Sequence, residues 1–150
     1  MDRSVWIGFD AREAAAFAVA RATARQHMNR PVPIRGIVLS ELREAGLYTR
    51  PTSTRDGRLW DDISGAPMAT EFAISRFLTP YLAGAGLALF MDADMMVRSN
   101  LDALFDGIDR SKAVSVVKHQ FNPPEGLKMD GQMQLRYARK NWSSVCVFNC

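Results

Sequence analysis

Short apolar runs alternate with helix-forming segments in the first part of the chain. Residues 5–9 are an apolar run that ends at Asp10, and an Ala-rich segment of strong helix formers covers residues 13–28. Pro31 follows this helix, and residues 32–39 give a second buried strand. The order strand, helix, strand is typical of a parallel sheet with a right-handed crossover. The sequence therefore predicts an α/β fold.

Further apolar runs continue this pattern towards the end of the chain. Three of them predict strands, a buried one at residues 87–91 and two more at residues 113–118 and 145–148. Residues 101–105 form a predicted short helix that begins behind Asn100, a residue type that caps helices well. We expect a mainly parallel sheet with helices on its faces, in one domain that covers residues 1–150.

One more helix is predicted at residues 69–78. Its spacing turns Phe72, Phe77 and Leu78 towards the core. It ends before Pro80, because a proline disfavours helical geometry in the residue that precedes it.

Two segments without periodicity predict long loops. Residues 49–67 are rich in Pro, Gly, Ser and Thr and carry Arg50, Arg55 and Arg58. Loops longer than about 12 to 15 residues in compact domains are usually functional or mobile. We expect this loop to be poorly ordered without a ligand and its arginines to close over one. Residues 119–132 are the second such segment.

The size and composition of the chain limit its class. A chain of 150 residues with 47% hydrophobic and 23% charged residues is typical of one globular domain. Its apolar runs, of about five residues, are far shorter than the roughly 20 that a membrane-spanning helix needs. Strand-like sequence begins by Val5 and leaves no room for a secretory leader, so we expect a cytoplasmic location. No helix follows the last predicted strand, so we expect a C-terminally truncated chain whose exposed strand edge favours self-association.

The cysteines and histidines argue against a zinc site. Cys146 and Cys150 lie in one predicted strand, about 13 Å apart, which is too far for a disulfide between them. His27 and His119 show no spacing that is typical of metal ligands. Any bound metal ion is therefore expected on oxygen ligands.

Acidic residues are concentrated behind the strand at residues 87–91. The net charge is +3, but residues 92–111 carry two Arg against five Asp. Alternation along an extended backbone places Asp92 and Asp94 on one face, about 6 to 7 Å apart. Open α/β sheets bind ligands at the carboxyl ends of their strands, and Mg²⁺ or Mn²⁺ prefers oxygen ligands. The residues alone leave two alternatives, a divalent cation site or a turn capped by Asp92 with a solvated Asp94.

A family resemblance is carried by Phe90-Met91-Asp92-Ala93-Asp94-Met95-Met96-Val97 and by the following residues 100–105. This block resembles the Asp-x-Asp block of the retaining family 8 glycosyltransferases, the group of glycogenin and the lipopolysaccharide galactosyltransferases. Residues 6–10 resemble the first strand of that family, residues 72–77 its donor-binding helix, and residues 147–149 a later strand. The resemblance spans nearly the whole chain and implies a GT-A type, Rossmann-like nucleotide-diphospho-sugar transferase fold.

The resemblance also implies roles for single residues. The donor-binding residues that it implies are Asp10, Arg76, Asp92, Ala93, Asp94 and Asn149. Asp10 would touch the nucleotide base, Arg76 the donor phosphates or sugar, and Asn149 the donor sugar. The residue types alone equally allow a helix N-cap at Asp10, a surface ion pair at Arg76 and a turn at Asn149.

The implied activity is metal-dependent transfer of a hexose, with retention, from a UDP-sugar to a saccharide or another hydroxyl acceptor. Asp92 and Asp94 would hold Mn²⁺ or Mg²⁺, which neutralises the diphosphate leaving group. In the family a further metal ligand, usually His, lies downstream of the position that corresponds to residue 150. No residue of this chain is identified as the nucleophile.

Two other functions stay open. A haloacid-type phosphatase also has Asp-x-Asp after a buried strand, although near its N-terminus and without Met95-Met96. Interleaved cations and aromatic rings suit single-stranded nucleic acid, and here they are Lys118, Lys128, Arg136, Tyr137, Arg139, Lys140 and Trp142. No Gly-rich phosphate loop follows the first strand, which disfavours a dinucleotide site and a sugar nucleotidylyltransferase.

Overall fold

Strands and short helices alternate in the computed structural model, which describes residues 3–118, 126–127, 133–134 and 142–150. The strands are β1 (Arg3–Gly8), β2 (Ile34–Ile37), β3 (Thr52–Arg55), β4 (Arg58–Asp61), β5 (Ala66–Pro67), β6 (Leu87–Met91), β7 (Val114–Val116), β8 (Gly126–Leu127), β9 (Met133–Gln134) and β10 (Val145–Asn149). The α-helices are α1 (Ala14–Gln26), α2 (Leu39–Glu44), α3 (Thr79–Ala83) and α4 (Leu101–Asp106). Two 3₁₀ helices cover Ala11–Glu13 and Ser75–Leu78.

A mixed five-stranded sheet forms the centre of the fold. Its strand order is β2-β1-β6-β10-β7. Strand β1 runs parallel to β2 and β6, whereas β10 runs antiparallel to β6 and β7. The predicted α/β class is confirmed. The expected mainly parallel arrangement holds only for the half of the sheet that contains β2, β1 and β6.

The sheet has a hydrophobic layer on each face, because successive side chains of a strand point to opposite sides. One layer contains Val5, Ile7, Leu87 and Leu89 with Ala20, Ala24, Leu101 and Phe105 of the covering helices. The other contains Trp6, Ala88 and Phe90 with Leu39, Leu42, Tyr48 and Phe72. Strand β6 has the predicted bounds, and all five of its residues are buried. The predicted helix behind Asn100 is confirmed as α4, where the Asn100 side chain accepts a 2.9 Å hydrogen bond from the amide of Asp102.

The predicted long loop at residues 49–67 is wrong. These residues form the antiparallel sheet β3-β4-β5. Asp56 and Gly57 connect β3 to β4 with φ values of 50° and 73°, the left-handed geometry that a two-residue hairpin turn requires. Arg50 Nε donates a 2.8 Å hydrogen bond to the buried Asp61 and ties the hairpin to the preceding chain. The Asp-Gly pair was the signal for this hairpin, but its strands are too polar to show apolar alternation.

The predicted helix at residues 69–78 is also wrong. Turns cover residues 69–74, and helical structure begins with the 3₁₀ helix at Ser75. It continues through Pro80 as α3, because a proline fits the first turn of a helix, where its missing N–H leaves no bond unmade. Phe72 is buried as expected, but Phe77 is 53% exposed. The change of helix type alters which side chains face the core.

The last strand occupies an internal position of the sheet. Its residues pair with β6 on one side and with β7 on the other. The expected exposed edge at residues 145–148 is therefore wrong, and β10 gives no support to the self-association argued from that edge. Cys146 is buried in this strand and Cys150 is exposed behind it, and both are free thiols, in agreement with the prediction that they do not pair.

Among the described residues, none of the helices has the length and apolar character that crossing a bilayer demands.

Gly8 packs against Phe72, which belongs to the hydrophobic layer with Trp6 and Phe90, and a substitution at Gly8 tests this packing. A Cβ atom at this position would lie 2.4 Å from the Phe72 ring, so the ring must move if residue 8 carries a side chain. We expect Gly8→Ala to lower the free energy of unfolding by about 1 to 3 kcal/mol, the usual cost of overpacking. Urea denaturation measures this change.

Gly107→Ala is the matched control. Gly107 has an ordinary φ of −83°, and a Cβ there would come no closer than 3.4 Å to its neighbours. We expect its effect to stay within about 0.5 kcal/mol, as for most surface changes. Equal effects of the two substitutions would contradict the packing argument.

Candidate functional site

The candidate site lies where β1 and β6 end side by side. These strands are parallel, and Ile7 pairs with Met91. Asp10 therefore follows the end of one strand while Asp92 and Asp94 follow the end of the other, at the same edge of the sheet. The structure thus brings the two acidic segments together, as expected from the topology of parallel sheets.

Asp10 is fully buried and its carboxylate is used within the protein. It accepts hydrogen bonds from the amide and Nε of Arg12, both at 3.0 Å, and from Arg12 Nη2 at 2.8 Å. The amide of Glu71 donates a further bond at 3.2 Å. Burial opposes ionisation of Asp10, but these hydrogen bonds outweigh it and lower its pKa. The N-cap alternative for Asp10 is confirmed, because it caps the 3₁₀ helix at Ala11–Glu13.

Asp92 forms an ion pair with Arg76 in which both side chains are mostly buried. Arg76 Nη1 lies 2.9 Å from Asp92 Oδ1, and the side chains are 10% and 17% exposed. The same nitrogen donates a 2.8 Å hydrogen bond to the carbonyl of Ser143. Arg76 therefore makes an ion pair, as one sequence alternative had it, but in the protein interior and not at the surface.

Aromatic rings surround the same arginine. The Arg76 guanidinium carbon lies 5.3 Å from the Phe72 ring centre and 5.1 Å from that of Phe90. Both distances are within the range of cation–π attraction. The rings and the ion pair together hold the guanidinium at the end of the sheet where Asp10, Asp92 and Asp94 lie, which we call the acidic edge.

Asp94 differs from Asp92 in its exposure. Strand β6 ends at Met91, and Ala93 and Asp94 lie in a turn. Ala93 is buried, whereas Asp94 is exposed. The alternation of side chains along an extended strand therefore does not determine the distance between the Asp92 and Asp94 carboxylates. The turn presents one mostly buried and one solvent-exposed acid.

Glu13 also lies near these acidic residues, and the sequence pattern did not predict it as a site residue. Burial raises its pKa, and the negative charges of Asp10, Asp94 and Asp92 raise it further. The spacing of Asp10 and Glu13, typical of helix starts, was an available signal that the residue turns back towards the end of β1. A bound cation would relieve the repulsion among these acids.

Asn149 lies at the opposite end of the strands from the acidic edge, beside the start of β6. Because β10 runs antiparallel to β6, Asn149 pairs with Leu87 while Val145 pairs with Met91. The Asn149 amide group donates a 2.8 Å hydrogen bond to the carbonyl of Arg110. Two residues just before β10 do contact the candidate site. The Ser143 carbonyl accepts a hydrogen bond from Arg76, and the Ser144 carbonyl accepts one from the Asp92 amide at 2.9 Å.

The donor set suits a divalent cation that is only partly held by protein. Within the described ranges, no three His, Cys, Asp or Glu side chains are grouped so that they could hold a metal ion. Asp92 and Asp94 supply hard carboxylate oxygens, and Mg²⁺ or Mn²⁺ usually takes one or two carboxylates together with water and substrate phosphates. The residues present therefore fit an ion that a phosphate ligand helps to bind.

A cavity of about 390 Å³ opens beside Arg12. It lies between α2, the β3-β4 hairpin and Glu71, and its polar lining includes Arg12, Ser40, Arg43, Thr52, Thr54 and Glu71. Hydroxyl, cationic and anionic groups in one cavity can bind a polar ligand that both donates and accepts hydrogen bonds. The hairpin that replaces the expected loop thus forms one wall of the cavity.

Most of the basic surface considered for nucleic acid lies outside the described residues. This applies to Lys128, Arg136, Tyr137, Arg139 and Lys140. Lys118 and Trp142 are described, and both are exposed.

Comparison with known proteins identifies a relative. The chain is 38% identical over 147 residues to Protein CDI of Arabidopsis thaliana, a match that covers 97% of this chain and 52% of the relative. The chain spans about half the length of this relative. No family model and no solved structure matches. The relative's name states no reaction.

The hydrogen bonds of Asp10 predict a pH-dependent stability. Its pKa is lower in the folded protein than the roughly 3.9 of an unfolded chain, so its contribution is full above that value and is lost as the pH falls through the folded pKa. We expect the wild type to exceed Asp10→Asn in free energy of unfolding by about 1 to 3 kcal/mol at pH 7. This difference should shrink below about pH 4. Urea denaturation from neutral to acidic pH measures both values, and a constant difference would contradict the prediction.

Proposed function

We propose that the chain is the nucleotide-sugar-binding part of a metal-dependent glycosyltransferase with a GT-A type fold. The reaction would transfer a hexose, with retention, from a UDP-sugar to a saccharide or another hydroxyl acceptor in the cytoplasm. The observation that carries the proposal is the acidic edge at the ends of β1 and β6, where Asp92 pairs with the buried Arg76 and Asp94 follows two residues later. The sequence resemblance to family 8 glycosyltransferases supports the same assignment.

The chemistry of the donor explains why carboxylates and an arginine are needed together. Breaking the glycosidic bond of a UDP-sugar leaves negative charge on the diphosphate. A divalent ion on Asp92 and Asp94 would stabilise that charge. Arg76 would add a planar donor for phosphate oxygens, the geometry for which guanidinium groups are well suited.

Donor binding would change the partners of Arg76. In the structure its Nη1 is shared between Asp92 and the Ser143 carbonyl. A cation that binds Asp92 and a phosphate that approaches Arg76 would each replace part of this ion pair. We therefore propose that Arg76 pairs with Asp92 in the absence of a ligand and would turn towards the donor phosphates when a cation binds Asp92.

Asp10 takes a different role from the one expected at the nucleotide base. Both of its oxygens already accept hydrogen bonds from Arg12, and one also accepts from the Glu71 amide. We propose that Asp10 positions Arg12 beside the 390 Å³ cavity and that Arg12 and the cavity, not Asp10 itself, contact the ligand. Asn149 is not proposed as a sugar contact, because it lies at the opposite end of the strands from the acidic edge.

Asp94→Asn provides the cleanest test. Asp94 is exposed, so the substitution removes a charge without disturbing the core. In calorimetric titrations we expect Mn²⁺ to bind the wild type mainly in the presence of UDP, because the phosphates supply oxygens that the protein lacks. We expect Asp94→Asn to weaken this binding at least tenfold, with an unchanged circular dichroism spectrum. Unaltered Mn²⁺ and UDP binding would refute the proposal.

Two further variants control for charge and for folding. Asp109→Asn removes the same charge from an exposed residue outside the acidic edge and should leave binding within about twofold of the wild type. Asp92→Asn should also weaken binding at least tenfold, but it removes the charged partner of a buried arginine. We therefore expect it to lower the free energy of unfolding by about 1 to 3 kcal/mol. Loss of binding in Asp109→Asn as well would show a general charge effect.

A further inference from the structure

A second cavity, of about 200 Å³, lies between the chain that follows α2 and the 3₁₀ helix at Ser75–Leu78. Its lining includes the apolar side chains Leu47, Ile74, Phe77 and Leu78 and two residues with hydroxyl groups, Tyr48 and Ser75. None of these residues belongs to the acidic edge or to the cavity beside Arg12. The cavity is therefore separate from the site described above.

Both hydroxyl-bearing residues of this cavity are buried. Tyr48 is 5% exposed and Ser75 is fully buried. Ser75 Oγ makes no hydrogen bond, whereas the Tyr48 hydroxyl interacts with the Arg50 side chain. Most buried polar side chains in folded proteins are hydrogen bonded, so each such group calls for an explanation. The unpaired Ser75 hydroxyl, in the lining of a small cavity beside a second buried hydroxyl, indicates a ligand that pairs with it.

The charges around the cavity select an uncharged ligand. Arg50 also lines it, but its Nε and Nη2 donate to the two oxygens of Asp61. Burial and the negative charge of Asp61 raise the pKa of Tyr48, so its hydroxyl stays protonated. The cavity thus presents two neutral hydroxyl groups, each able to donate and accept, and one arginine whose charge is already compensated.

The size and the walls of the cavity favour a single aromatic ring. Enclosed apolar cavities of about 150 Å³ bind benzene, and this one, which is partly open to solvent, offers about 200 Å³ beside Leu and Ile side chains. Phe77 lines this cavity and is 53% exposed. An aromatic ligand would pack against that ring, since ring pairs add to the gain from apolar burial.

We infer that this cavity is a binding site for a small, uncharged aromatic compound that carries one hydroxyl or carbonyl group. The ring would occupy the space between Leu47, Ile74, Leu78 and Phe77, and its polar group would pair with Tyr48 and Ser75. This site goes beyond the proposed transferase activity and does not depend on it.

Phenol is a suitable probe, with toluene as a ligand of nearly equal size that lacks the hydroxyl. We would titrate each compound into the full 150-residue chain and follow backbone amide shifts by NMR. The expected result is saturable shifts confined to the amides around residues 47–50 and 74–78, with phenol bound more tightly than toluene. Absent or non-saturating shifts, or shifts spread over the whole protein, would overturn the inference.

A double variant, Tyr48→Phe with Ser75→Ala, separates the hydroxyl groups from the cavity itself. It removes one unpaired buried hydroxyl, that of Ser75, and one that interacts with the partly exposed Arg50, so we expect it to fold with a free energy of unfolding within about 1 kcal/mol of the wild type. Phenol should bind it about tenfold more weakly, as expected for the loss of one good hydrogen bond, while toluene affinity should not fall. An unchanged preference for phenol over toluene would show that the hydroxyls do not contact the ligand.

The exposed Phe77 gives a second variant. Phe77→Ala should weaken the binding of both phenol and toluene, and unaltered affinity for both would also count against the site.

Discussion

Strand β6 has all five side chains buried, and neighbouring strands satisfy its backbone on both edges. A strand in this position has no solvent-facing side, so both faces of the sheet must be covered. Helices α1 and α4 cover one face, while α2 and the turns around Phe72 cover the other. The acidic edge begins directly behind β6, and its position is therefore fixed by the best-packed element of the protein.

The Arg76 ion pair extends that packing into the candidate site. A buried guanidinium is costly unless its charge and its donors find partners. Asp92 supplies the charge, the Ser143 carbonyl an acceptor, and the rings of Phe72 and Phe90 the surrounding surface. The backbone of Asp92 is in turn bonded to Ser144. The turn before β10 thus contacts both members of the pair, and the core and the site share the same residues.

The apolar pattern of the sequence was sufficient for the elements whose stability comes from burial. It gave β6 with its bounds, the order of β1, α1 and β2, and the capped helix at Leu101–Asp106. It failed for elements whose structure depends on local backbone geometry or on pairing with strands distant in sequence. The β3-β4 hairpin depends on the left-handed turn at Asp56 and Gly57, and the internal place of β10 depends on partners far away in sequence. The acidic edge was predictable from Asp92 and Asp94, whereas the burial of Arg76, the role of Arg12 and the remote position of Asn149 required the three-dimensional structure.

The internal place of β10 also sets an order of events during protein synthesis. Strand β7 leaves the ribosome before β10, yet it touches β6 only through β10. Until residues 145–149 have emerged, β7 has no place in the sheet and the outer edge of β6 is open. Native pairing in this half of the sheet must wait for a segment that is translated more than fifty residues after β6. A nascent chain at that stage exposes an apolar strand edge, the kind of surface that chaperones shield from other unfinished chains.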